Sequence, residues 1–370
     1  MTDPSTALQP PAAAATAVLG VTAVDSGHGG DPQRQTAAET LSAHLATLAA
    51  GFLRGLPAVD LHTLRRVGAA LHTFDALVEP TWSQELREEV GRLGGLLGQE
   101  RDYARRLNRL MAGLDSLTCA GPQPAAGAGR DATGPVPQQR EAEGLLARHP
   151  GAPKARALLE RQLTLGRSRA HTAALQELGS ARFHALADRM TLLVSDLPLR
   201  AADGRPAADR TAADLAPAAA LLPFAAEEAR GLTAAVQALP LERAAVPYTG
   251  DTLHDPGDDE PWLQARELVL RTQYALDVCA PLLGPGAARP AAALVELART
   301  LARYRDAADA ADAAALAALT PRITPATAYV LGVVHADQRL EVEAARHAFS
   351  TTWPDLYRSG WLTDAWLTTR

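Results

Sequence analysis

Three residues near the start of the chain, His62, Arg65 and Arg66, have types and spacing suited to holding an anion. Separated by three and four positions, they fall on one face of a helix. The arginine fork chelates two phosphate oxygens at once, which makes such a cluster a phosphate contact. The same spacing also describes a solvated basic edge on an amphipathic helix, with the histidine capping a neighbour. Further on stands Arg101-Asp102. Either Arg101 faces the anion and Asp102 orients it or His62, or the two make a salt bridge between helices. A third basic group, Lys154, Arg156, Arg161, Arg167, Arg169 and His171, lies along one helical stretch. It reads as a solvated face or as the wall of a groove.

Catalytic chemistry has little support. The histidines stand singly and no His-Glu-x-x-His pattern of a zinc hydrolase occurs, so no metal is expected. A glycine-rich phosphate loop and a nucleophile elbow are both missing, and no cofactor is implied. Cys119 and Cys279 have no ligand spacing and read as idle thiols. The acidic cluster Asp251, Asp255, Asp258, Asp259 and Glu260 does not follow a calcium-loop pattern and reads as a solvated loop. The net charge of -6 argues against a general polyanion or nucleic-acid binder. The cations are almost all arginine, with Lys154 the single lysine. No apolar run approaches the length of a membrane helix. Residues 1–36 lack the basic start of a signal peptide and read as a disordered tail, and the protein reads as cytoplasmic.

The elements that position these residues are helices. Alanine and leucine dominate, aromatics are 4%, and alanine and leucine lose little side-chain entropy in a helix. Leu41, Leu45, Leu48 and Phe52 mark one apolar face over Thr36 to Arg54. Leu61, Leu64, Leu71, Phe74 and Leu77 mark a second over Val59 to Leu77. A third helix follows Ser83 as its cap and runs to Leu110, with Gly94, Gly95 and Gly98 inside it. Glycine costs a helix interior about 1 kcal/mol against alanine. The expected return is close approach of a neighbouring backbone, or a kink near Gly98 that aims Arg101 inward. Helices follow over Lys154–Leu178, Ala181–Leu193, Leu215–Leu239, Trp262–Leu283, Pro290–Leu319 and Pro325–Phe349, with a mobile loop over Cys119–Gln139. No stretch alternates with the period of a strand. Arg305-Asp306 in the second half matches Arg101-Asp102 in the first. The pattern therefore predicts an all-α protein of two antiparallel helical bundles related by an internal duplication. Residues 37–195 and 215–370 form the bundles, and 196–214 the linker.

With these elements laid out, the chain resembles the CHAD family, the conserved-histidine α-helical domains. Leu61-His62-Thr63-Leu64-Arg65 matches that family's first helix, with His62 as the namesake histidine. Leu93, Leu96, Leu97, Gly98, Arg101 and Asp102 match its second. Gly179 to Leu186, Leu270 to Leu276 and Ala328 to Trp353 resemble later motifs. The resemblance implies binding of inorganic polyphosphate, or a related polyanion, in a basic groove between the bundles, without catalysis. It adds Arg182, Arg266 and Arg271 to His62, Arg65, Arg66 and Arg101 as candidate contacts, and Arg161 joins them from the basic stretch over 154–171. The departures all remove charge. The family's paired arginines fall on Ala69 and Ala70, the next basic position on His72, and a later lysine and arginine on Leu270 and Gln273. The competing expectation is a helical scaffold that has lost polyphosphate and works through a protein partner.

Overall fold

The computed structural model describes residues 35–55, 59–119, 144–200, 216–253 and 259–362. Most of the expected tail (1–34), of the 119–139 loop and of the 196–214 linker lies outside them, as do His254, Asp255 and Asp258. The described residues are all-α. Ten α-helices are joined by turns and short 3-10 segments, and the two β-bridges, Thr36 with Pro217 and Val78 with Leu199, are isolated.

The helices are α1 (Ala37–Arg54), α2 (Leu61–Thr73), α3 (Pro80–Thr118), α4 (Ala152–Leu178), α5 (Ala181–Ser195), α6 (Leu222–Gln237), α7 (Leu241–Ala244), α8 (Glu260–Cys279), α9 (Ala288–Ala318) and α10 (Pro325–Arg358). Local chemistry explains their starts. Thr36 and Glu39 close a capping box on α1: the Glu39 amide donates to Thr36 Oγ1 at 3.1 Å, and the Thr36 amide to Glu39 Oε2 at 2.9 Å. Asp60 caps α2 by accepting from the amides of His62 and Thr63, both at 3.1 Å. The cap of α3 is Glu79 rather than Ser83. It accepts from the Thr81 and Trp82 amides, and Pro80 at the first helical position starts the helix one turn early. Pro217 and Pro223 shorten the helix expected over 215–239 to a 3-10 turn followed by α6.

Two apolar cores hold the helices together, and each draws on both halves of the chain. The larger unites α1, α2, α5, α6, α8, the start of α3, the first half of α9 and the second half of α10. The smaller joins the ends of α3 and α9 to α4 and the start of α10. There the α9 contribution is Ala310, Ala314 and Ala317, small residues that let α10 lie close. Gly151 at the start of α4 shows how tight that packing is: a β-carbon there would run into the Ala326 carbonyl. Among the described residues no helix is long and apolar enough to cross a membrane.

Candidate functional site

Helices α2, α3, α8 and α9 enclose a groove of about 760 Å³. Its floor is one stripe of α3. Arg87, Gly91, Gly94, Gly98 and Asp102 recur at three- and four-residue spacing, with Gly95 beside them. The helix runs unbroken from Pro80 to Thr118. Close packing does not explain the glycines. A β-carbon at 91, 94, 95 or 98 would meet nothing within 4 Å. They hold the floor open.

Five arginines line the groove: Arg65 from α2, Arg87 from α3, Arg266 and Arg271 from α8, and Arg305 from α9. Three of them are engaged. Arg305 Nη2 reaches Asp102 Oδ2 at 3.1 Å, Arg271 Nη2 reaches the buried Glu228 at 2.8 Å, and Arg87 Nη2 donates to His72 Nδ1 at 2.8 Å. That last bond requires a neutral His72. Burial and the charges of Arg271 and Arg87 hold its pKa below the usual histidine value, against Glu228 and Asp75. Among the described residues Arg65 and Arg266 have no carboxylate partner. Arg266 is half-buried, and its Nε is shielded from water without a hydrogen-bond partner. Burial lowers its pKa first, then the nearby charges of Arg305 and Arg65, against Glu267 and Tyr274. Arg65 and Arg266 thus share one end of the groove with Arg305, which Asp102 holds, and an anion there would find two guanidinium groups to pair with.

The other expected contacts lie elsewhere. His62 stands at the start of α2 outside the groove lining, its ring edge-on to Tyr274 at 5.6 Å and its Nδ1 3.4 Å from the tyrosine hydroxyl. Packing that takes the ring partly out of water, and the Arg66 charge, lower its pKa. Arg66 is spent on Asp277 at 3.0 Å, and Arg101 donates weakly to the Val59 carbonyl at 3.5 Å. Arg182 clamps Glu89 with Nε at 2.9 Å, tying α5 to α3. Arg161 is exposed on α4, and no α4 residue lines the groove, so the expected groove wall over 154–171 is not formed. Part of that face turns to Glu100 instead, through His171 and Arg167. Arg87, His72 and Arg305 were missing from the expected set. The signal for Arg87 was its place on the glycine stripe, and for Arg305 the second Arg-Asp step. The aspartates of both steps cross-link α3 and α9. Asp102 takes Arg305 and Arg105, and Asp306 takes Arg105 Nε at 3.1 Å.

The Arg66 charge also reaches α1. On α1, burial first and the Arg66 charge second lower the pKa of His44 from 6.5 to about 4. His44 is therefore neutral in the fold. As pH falls below 6.5 the unfolded chain binds a proton that the folded chain refuses until about 4. Stability is intact above that window and drains away across it, by about 3 kcal/mol in all. Urea midpoints at pH 7 and pH 4.5 should differ, and His44→Gln should flatten the difference. An unchanged difference in that variant would assign the acid loss to other groups.

Fold and groove together define an all-α protein with an arginine-lined cleft between helices from both halves of the chain. The chain belongs to the CHAD family: the CHAD domain model matches residues 36–315. It is also similar to a solved structure, PptA from Streptomyces chartreusis, with 39% sequence identity and a TM-score of 0.67. That match covers 86% of this chain and 100% of PptA. No curated protein matches the sequence.

Proposed function

We propose that this CHAD-family protein binds inorganic polyphosphate or a related polyanion in the α2–α3–α8–α9 groove, in the cytoplasm and without catalysing a reaction. The observation that carries the reading is Arg266, a half-buried arginine with no salt-bridge partner among the described residues, beside Arg65 and Arg305 in a groove floored by glycines. Polyphosphate has charge and no sequence, so guanidinium forks along a cleft suffice to hold it. The recurrence of Arg-Asp at 101–102 and 305–306 supports the internal duplication, whose two copies would each supply one side of the cleft.

The test is a titration of labelled polyphosphate into the full chain at about 50 and 200 mM salt, where counterion release weakens a phosphate-backbone contact steeply. Saturable binding is expected at low salt. Arg65→Gln and Arg266→Gln should each weaken it about ten- to a hundredfold, the worth of one charged hydrogen-bonding group. Arg161→Gln, which removes the same charge from the α4 face, should leave it unchanged. No saturable binding at low salt would favour the scaffold reading. That reading draws on Arg66, Arg182 and Arg271, each neutralised by a carboxylate of the chain itself.

A further inference from the structure

The basic residues that α4 keeps out of the groove follow a pattern of their own. The inner line of the helix, Ala155, Leu159, Leu163, Ala170 and Ala174, is buried. The line opposite reads Lys154, Leu158, Arg161 and Leu165, at spacings of four, three and four. That is the spacing of a coiled-coil seam, the row of a helix that meets a second helix. Here cations alternate with leucines along it. The basic residues on the flank of α4 are spent within the chain, Arg156 on Asp115, and Arg167 and His171 on Glu100. Lys154 and Arg161 are exposed and have no carboxylate partner among the described residues.

The apolar surface continues beyond the seam. Leu165 is 49% exposed. Gln162 Nε2 donates to Thr320 Oγ1 at 3.0 Å, which sets α4 beside the end of α9. There stand Leu316 and Leu319, 70% and 77% exposed. The helix cannot rotate to cover its outer leucines. A β-carbon at Gly166 would run into the Tyr103 ring, so α4 already lies hard against α3.

An occupant of this face has to answer both rows. A phosphate chain would satisfy the cations and leave the leucines in water. A lipid surface would take both, but the net charge of -6 opposes approach to an anionic membrane. A helix with carboxylates and leucines on its own seam sets carboxylate against cation and leucine against leucine. We propose that the outer face of α4 is a docking surface for an acidic amphipathic helix of a partner protein. The face lies outside the groove, and the proposal does not depend on what the groove binds.

The test is binding of a labelled, helix-stapled peptide of about three heptads, with leucine and glutamate on its seam, to the full chain. A stapled peptide of the same composition with the seam order scrambled is the control. Saturable binding of the first is expected, with the second weaker by about tenfold or more. Arg161→Glu should weaken the first about ten- to a hundredfold, because it sets like charges against each other. Leu165→Ser should weaken it about tenfold through lost apolar contact. Both side chains are exposed, so both variants should fold as the parent chain does. Arg266→Gln, in the groove, should leave peptide binding unchanged. Equal binding of the two peptides, or equal binding of the first to the parent chain and to Arg161→Glu, would overturn the proposal. Peptide affinity lost in Arg266→Gln would place the peptide in the groove and overturn it too. So would binding to phosphatidylserine vesicles that Arg161→Glu abolishes, with no binding of either peptide, which would make the face a membrane contact.

Discussion

Asp259→Asn is expected to destabilise the folded chain by about 3–5 kcal/mol, the cost of breaking a buried charge cluster by removing one partner. Asp259 sits just before α8, and its carboxylate is the meeting point of three elements. Oδ2 takes Arg339 Nη1 at 2.7 Å; Oδ1 takes Arg346 Nη2 at 2.8 Å and the Tyr304 hydroxyl at 2.7 Å. Arg339 is 1% exposed. Its Nε donates to the Thr252 carbonyl at 2.8 Å, and Glu343 accepts from the Thr252 amide at 3.1 Å. Arg346 also lies over Trp262, 5.3 Å from the ring centroid. Asparagine keeps the shape and removes the charge that lets two guanidinium groups share one interior. Urea unfolding at pH 7 measures the effect. Adding Arg339→Met should recover part of the loss, because the charge left unpaired is then gone as well. A single variant within 1 kcal/mol of the parent chain would mean that the cluster does not hold α8 to α10.

That cluster also marks where sequence reasoning stops. The helices were legible because burial of one face imposes a 3.6-residue rhythm on Leu41, Leu45, Leu48 and Phe52, and burial alone is enough to read it. Asp259 read as part of a solvated acidic loop because its partners lie 80 and 87 residues away and share no rhythm with it. The groove divides in the same way. Arg65 was found from its spacing to His62, and Arg266 and Arg271 with the help of the family motif. Arg161 was chosen from the basic face over 154–171 and Arg182 from the resemblance, yet neither lines the cleft. Arg66 lies next to Arg65, but the rotation of about 100° between neighbouring helical positions points it at Asp277. Whether a cation is free or neutralised depends on which carboxylates the tertiary fold brings near, and no local pattern encodes that.

The glycines of α3 lead to the second large effect, with opposite signs for stability and binding. Gly91, Gly94, Gly95 and Gly98 sit in the interior of a 39-residue helix, where each costs about 0.5–1 kcal/mol relative to alanine. Glycines retained for packing would make added methyl groups clash, but here a β-carbon at any of the four meets open space. Replacing all four with alanine is therefore expected to stabilise the chain by about 2–4 kcal/mol, read as a higher urea midpoint. The same methyl groups would fill the groove floor beneath Arg266 and Arg305, so anion affinity should fall while stability rises. Gly94→Leu should sharpen the contrast, placing a larger side chain in the cleft at little cost to the helix. A quadruple alanine variant that loses stability would show the glycines to be packing devices after all. One that gains stability and binds anion as before would move the binding site off the α3 floor. The combination of gain and loss is what a helix surface kept bare for a ligand requires.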